Sequence, residues 1–281
     1  MYYIQDQLYS SLSEVPEAYL SVFKFQDALI ETLKVKQGKI IFWEEHYFRL
    51  MASMRVLRMQ IPLSFTMEKL EESLHQLLEA QEEEAFNGDV IFRVFKANVP
   101  TYQAPVPKTL LSIQTLSNTY QFSLKHDRLP IDLYKDHYWT SGLYSSLENV
   151  HHQWESMAWT FVYENDFCDG IILNEQKQLV GTLRGNIFLI NGTTVSTPSS
   201  SQGCKKNVYR SALMKCIETS PDWELSEGEI SPFALQKAEE LFVLEGHKGI
   251  YAISQYRKKR FTSEKTQALM QLISESILSQ S

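Results

Sequence analysis

Imine chemistry on a carbonyl group needs an amine, so the lysines are the first side chains to place. None occurs between Lys135 and Lys177; Lys135 lies ahead of the gap, and the pair Lys205-Lys206 follows it. Metal chemistry would need three convergent ligands. His151 and His152 are adjacent, with His137 upstream, but neighbouring positions on a helix point in different directions and no third ligand stands at a matching spacing, so no metal site is expected. Cys168, Cys204 and Cys216 form no Cys-x-x-Cys pair, which points to reduced thiols in a cytoplasm. The basic run Tyr256-Arg-Lys-Lys-Arg260 reads as a solvated strand end.

The elements that must hold these side chains are mixed. With 281 residues, 43% hydrophobic and 22% charged, the chain can build two modest cores. A net charge of -7 argues against nucleic acid or an anionic membrane as partner. Tyr134, Tyr138, Trp139, Tyr144, Trp154 and Trp159 therefore read as a domain interface or dimer core instead of a base-stacking platform. No apolar run approaches the roughly 20 residues of a membrane span, and the first residues lack the basic and apolar regions of a signal peptide. A cytoplasmic protein is expected.

Strand-like segments at 28–35 and 39–43 flank the turn Lys36-Gln37-Gly38. Tyr47, Leu50, Met51, Met54 and Leu57 share one helical face before Pro62. Ser64 stands where it would cap a second helix, striped by Met67, Leu70, Leu74, Leu77 and Leu78. Strands at 89–97 and 109–115 complete an α+β unit. Residues 116–127 lose periodicity and read as a linker, giving a smaller amino-terminal domain over 1–118 and a larger carboxy-terminal one over 119–281. In the latter, helices are expected near 147–164, 206–218, 232–241 and 263–279. Strands are expected near 170–174, 186–190, 242–244 and 250–256, with a hairpin turn at Asn191-Gly192.

Several short motifs run through this frame. They are Asp27 with Glu31-Thr32, Gly38-Lys-Ile, His46-Tyr-Phe-Arg49-Leu50, Asp169-Gly170, and Val-Gly181-Thr-Leu-Arg-Gly-Asn186-Ile-Phe188. Pro198, Gly203-Cys204, Asn207-Val208-Tyr209-Arg210 and Leu241-Phe242…Gly249-Ile250 follow. Over roughly 25–261 the series resembles the class IV aminotransferases and aminodeoxychorismate lyases, the fold-type IV pyridoxal-phosphate enzymes. The resemblance implies a two-domain α+β architecture like that of D-amino acid aminotransferase, with a barrel-like sheet in the larger domain. It also implies a homodimer and a pyridoxal-phosphate pocket between the domains. On it, Arg49 inherits a contact to the cofactor phosphate; taken alone, Arg49 is a polar residue on an amphipathic helix. Asn186, Asn207, Val208 and Tyr209 fall in the segments that hold cofactor or anion. Asn207 replaces a glycine there, and Tyr209 replaces a threonine.

The resemblance also assigns a Schiff-base lysine and a pyridinium-binding glutamate. Aligned without a gap, these positions are Glu148 and Gly181, 33 positions apart as in the family; a gapped alternative puts Gly142 at the lysine. A carboxylate cannot form an imine, and Gly181 offers no acid to hold the ring nitrogen protonated. An anion beside a phosphate seat is also repelled, by about 4 kcal/mol for unit charges about 4 Å apart at an effective dielectric of about 20. Two readings follow. One is a catalytically degenerate aminotransferase-like protein that keeps a pocket for an anionic small molecule or serves as an assembly partner. The other is an active aminodeoxychorismate lyase or amino-acid aminotransferase in which Lys135, Lys205 or Lys206 replaces the missing lysine. In the first, one of these lysines or Arg49 pairs with Glu148 in the vacated site.

Overall fold

Period-two burial in the first long strand and helical stripes in the next fifty residues set the architecture of the amino-terminal part. The computed structural model describes residues 1–16, 19, 28–82, 85–96, 109–116, 122–127, 130–147 and 153–279. Asp27, Glu148, His151, His152, residues 117–121 of the expected linker and the first residues of the expected 147–164 helix lie outside them. The described chain divides into two compact units, one up to residue 116 and one from residue 122 onward.

In the first unit, β1 (Tyr2–Ile4) and β2 (Gln7–Tyr9) form a hairpin, and β3 (Ala28–Lys36) turns into β4 (Lys39–Ile40). Helices α1 (Trp43–Val56) and α2 (Met67–Ala80) precede β5 (Gly88–Lys96) and β6 (Thr109–Leu116). The strands make one antiparallel sheet in the order β2-β1-β6-β5-β3-β4. Leu29, Leu33 and Val35 alternate inward along β3, and Leu50, Met51 and Met54 of α1 pack on them together with Leu70, Leu74, Leu77 and Leu78 of α2. The cap of α2 differs from the expectation. Thr66, not Ser64, accepts the Lys69 amide at 3.2 Å, because Ser64 is taken up in the turn that the Phe65 amide closes on the Pro62 carbonyl.

The second unit begins with β7 (Ser123–Asp127) and β8 (Ile131–Leu133). It continues through α3 (Gln153–Glu164), β9 (Asp169–Leu173), β10 (Leu179–Thr182), β11 (Asn186–Asn191), β12 (Thr194–Pro198) and α4 (Val208–Thr219). It closes with β13 (Glu224–Gly228), α5 (Phe233–Lys237), β14 (Glu240–Glu245), β15 (Gly249–Ile253), β16 (Gln255–Tyr256), β17 (Lys259–Arg260) and α6 (Glu264–Ser279). Two sheets result, β10-β9-β8-β16-β17 and β13-β12-β11-β14-β15-β7. They share one core: Ile131, Ile171 and Leu173 from the first pack with Ile187, Leu189, Leu241 and Val243 from the second.

Three expectations are corrected here. The tail of the expected linker is a strand, because β7 pairs in parallel with β15 more than a hundred residues away, a partner that local periodicity cannot reveal. The hairpin β11–β12 turns on Gly192-Thr193, since Asn191 already pairs with Thr194. The helix beginning at Pro232 stops at Lys237, and β14 starts at Glu240 where more helix was expected. Gly249 opens β15 at φ +117, and a Cβ there would lie 2.1 Å from the Ser123 carbonyl oxygen. Gly249→Ala should therefore destabilise the chain by about 3 kcal/mol or more, since both backbone strain and overlap act against it. Urea unfolding measures this, and a loss below about 1 kcal/mol would show that the β7–β15 junction yields easily.

Candidate functional site

In the first unit the sequence places a carboxylate at an inward position of β3. Glu31 is buried, and two residues one helical turn apart on α1 converge on it. The Arg49 guanidinium donates through Nε to both carboxylate oxygens at 3.0 Å and through Nη2 at 2.7 Å. His46 Nδ1 also contacts the Glu31 carboxylate. Burial alone would raise the Glu31 pKa; the Arg49 charge and the His46 contact outweigh it and hold the carboxyl below its usual range. Arg49 is thus anchored by an internal partner and is not simply a polar residue on the open face of a helix. The sequence did carry a signal for this arrangement: an acid in a strand register otherwise filled by Leu29, Leu33 and Val35, with His46 and Arg49 three apart on the next helix.

In the second unit Gly181 lies buried near the end of β10, and the chain turns through Thr182–Gly185 into β11. The turn is closed by the Thr182 amide on the Gly185 carbonyl at 2.8 Å and by the Gly185 amide on Thr182 Oγ1 at 3.2 Å. A Cβ on Gly181 would lie 2.8 Å from the Gly185 carbonyl oxygen. Gly181, Asn186 and Lys205 line one small cavity of about 20 Å³ with Trp139, Trp154 and Gly203, room for about one water molecule. Asn186 Nδ2 donates to the Lys205 carbonyl at 3.0 Å. The Lys205 amine lies 3.2 Å from Glu155 of α3, with both side chains about a quarter exposed. Lys135 and Lys206 are exposed.

The start of α4 holds Asn207, Val208 and Tyr209. Free amides at a helix start form a ready anion seat. Here the Asn207 side chain accepts from the Tyr209 amide at 2.8 Å and from the Arg210 amide at 3.4 Å. That is the ordinary work of an N-cap asparagine. The Tyr209 ring is buried and stacks on Phe122 at 5.6 Å between centroids. The aromatic stretch upstream is divided: Tyr134 and Trp139 are buried in this unit's own core, Trp154 packs edge-on against Trp139, and Tyr144 stays 61% exposed. Among the described residues no group of three or more His, Cys, Asp or Glu side chains gathers as a metal site.

The amino-transferase class IV family model matches residues 28–256. The chain belongs to the class IV aminotransferase family. Solved structures agree in fold. A putative 4-amino-4-deoxychorismate lyase of Legionella pneumophila superposes with a TM-score of 0.77 at 18% identity, covering 90% of this chain and 92% of that one. The branched-chain aminotransferase of Thermoproteus uzoniensis gives 0.81 at 15% identity over 99% and 95%. The Escherichia coli branched-chain amino acid aminotransferase gives 0.81 at 12% identity over 96% and 92%. No curated protein matches the chain. The α+β fold-type IV architecture expected from the motifs is therefore the fold of this protein, and its family is pyridoxal-phosphate-dependent.

Within this class IV fold, Asp169 begins β9 fully buried. Its Oδ1 accepts the Gly170 amide at 2.8 Å and the Arg184 amide at 3.4 Å, while among the described residues Oδ2 has no hydrogen-bond partner. Burial pushes its pKa from 3.8 up to about 7, against the opposing pull of Thr182 and Arg184. The folded state thus prefers the protonated acid. The stability this gives is complete below about pH 4 and is lost as pH rises through about 7. Asp169→Asn should remove that decline, so that unfolding free energy, measured by urea titration from about pH 4 to about pH 8, becomes flatter than in the wild type. An unchanged slope would place the titrating group elsewhere.

Proposed function

We propose that this class IV aminotransferase-fold protein is catalytically degenerate and does not carry the family's pyridoxal-phosphate reaction. The observation that carries the reading is the approach of the Gly185 carbonyl to Gly181, which leaves no room for a side chain at the position matched to the pyridinium-binding glutamate. Three features support it. Lysine is absent from 136–176, the interval around Glu148. Two amides of the α4 start, those of Tyr209 and Arg210, are occupied by the Asn207 side chain. The Arg49 fork is engaged with Glu31. The residues present do not fit a covalently held pyridoxal phosphate. The retained function is then recognition of an anionic small molecule or support of an assembly, in a cytoplasmic homodimer. The exposure of Tyr144, Met157 and Tyr163, between 61% and 84%, is consistent with a partner surface.

A second reading is favoured by one observation. Lys205 lines the same cavity as Gly181, so a working lyase or aminotransferase would use its amine after release from Glu155. Reduction with borohydride in the presence of added pyridoxal phosphate separates the two. Peptide mapping should find no stoichiometric pyridoxyl-lysine and no visible imine absorption before reduction. One equivalent of modification at Lys205, Lys206 or Lys135 would overturn the degenerate reading in favour of the displaced lysine.

A further inference from the structure

A second cavity lies wholly within the first unit, between the β1–β2 hairpin, the chain leading into α2, and β6. Its volume is about 320 Å³, within the range of small-molecule sites. Its floor is buried and apolar, formed by Leu70, Leu111 and the ring of Tyr3. Ser73 also lines the cavity, its hydroxyl donating to the Lys69 carbonyl at 2.9 Å. Its mouth carries one charge of each sign, Asp6 and Lys69.

These two charges face the same space, and among the described residues no ion pair joins them. Asp6 Oδ1 accepts from the Tyr3 hydroxyl at 3.0 Å, and the Lys69 amine lies 3.1 Å from exposed Glu72 on its own helix. The turn that presents Asp6 is a two-residue hairpin loop between Ile4 and Gln7. Both loop residues, Gln5 and Asp6, adopt left-handed backbone angles, φ 49 and 62, a conformation that Asp, like Asn and Gly, adopts readily. Tyr3 and Asp6 lie ahead of residue 28, where the match to the class IV family begins.

We propose that this cavity binds a small zwitterion with an apolar side chain, a free amino acid of the size of leucine. The ligand ammonium meets Asp6, its carboxylate meets Lys69 after exchange from Glu72, and its side chain rests on Leu70 and Leu111. Opposite charges at the mouth select against molecules bearing only one of them, because such a molecule gains one charged contact instead of two.

Saturation-transfer NMR on the full chain tests this with three probes: L-leucine, 4-methylpentanoate, which lacks the ammonium, and 3-methylbutylamine, which lacks the carboxylate. L-Leucine should bind saturably with a dissociation constant in the range of about 1 mM, and each analogue about tenfold more weakly. Asp6→Asn, which keeps a residue tolerant of the left-handed turn, should weaken leucine about tenfold and leave 4-methylpentanoate unchanged. Lys69→Met should weaken leucine similarly and leave 3-methylbutylamine unchanged. The proposal fails if leucine shows no saturation up to about 20 mM, if all three probes bind alike, or if both variants keep wild-type affinity. Should either variant lose its fold, the comparison of probes on the wild type still decides.

Discussion

The Gly185 carbonyl sits close against Gly181, and this contact governs what the second unit can hold. It is not an isolated crowding. A Cβ on Gly185 would itself lie 2.1 Å from the Leu244 carbonyl oxygen, so the Thr182–Gly185 turn is wedged between β10 on one side and β14 on the other. Asn186, the next residue, pairs directly with Leu244 in the β11–β14 ladder. Placing a large acid at Gly181 therefore requires more than a change of side chain. It requires moving a turn that the six-stranded sheet holds in place, and close-packed interiors resist such movement.

The other groups that could serve a cofactor are already engaged within their own unit. Asn207 caps its helix, Lys205 pairs with Glu155, and Asn186 ties the Lys205 backbone to β11. In the first unit Arg49 and His46 balance the buried Glu31. A buried carboxylate without such partners is strongly unfavourable, so this cluster serves stability whether or not a ligand ever reaches Arg49. These contacts within each unit help to hold the class IV scaffold in place.

How much of this was legible in the sequence depended on the range of each interaction. Helices α1 and α2 were visible because Leu50, Met51 and Met54, then Leu70, Leu74 and Leu77, repeat at helical spacing. The strand through Phe188 was visible as an apolar run, whereas Gly181 was singled out only by the family resemblance and no strand was expected over Leu179–Thr182. The β7–β15 pairing was not, since Ser123 and Gly249 carry no mutual pattern. The contacts of Lys205 with Glu155 and of Arg49 with Glu31 join residues brought together only by folding. The sequence could single out Gly181 through the family resemblance, but it could not show how close the Gly185 carbonyl lies to it.

On the proposed reading, family membership and chemistry come apart in this chain. The span 28–256 carries the class IV fold, while in the proposed alignment the positions matched to the cofactor anchors hold Glu148, a crowded Gly181 and a helix capped by Asn207. Equilibrium binding of pyridoxal phosphate to the wild-type chain tests this most directly. The account predicts no saturable binding below about 1 mM. One equivalent bound with a dissociation constant of about 1 μM would contradict it.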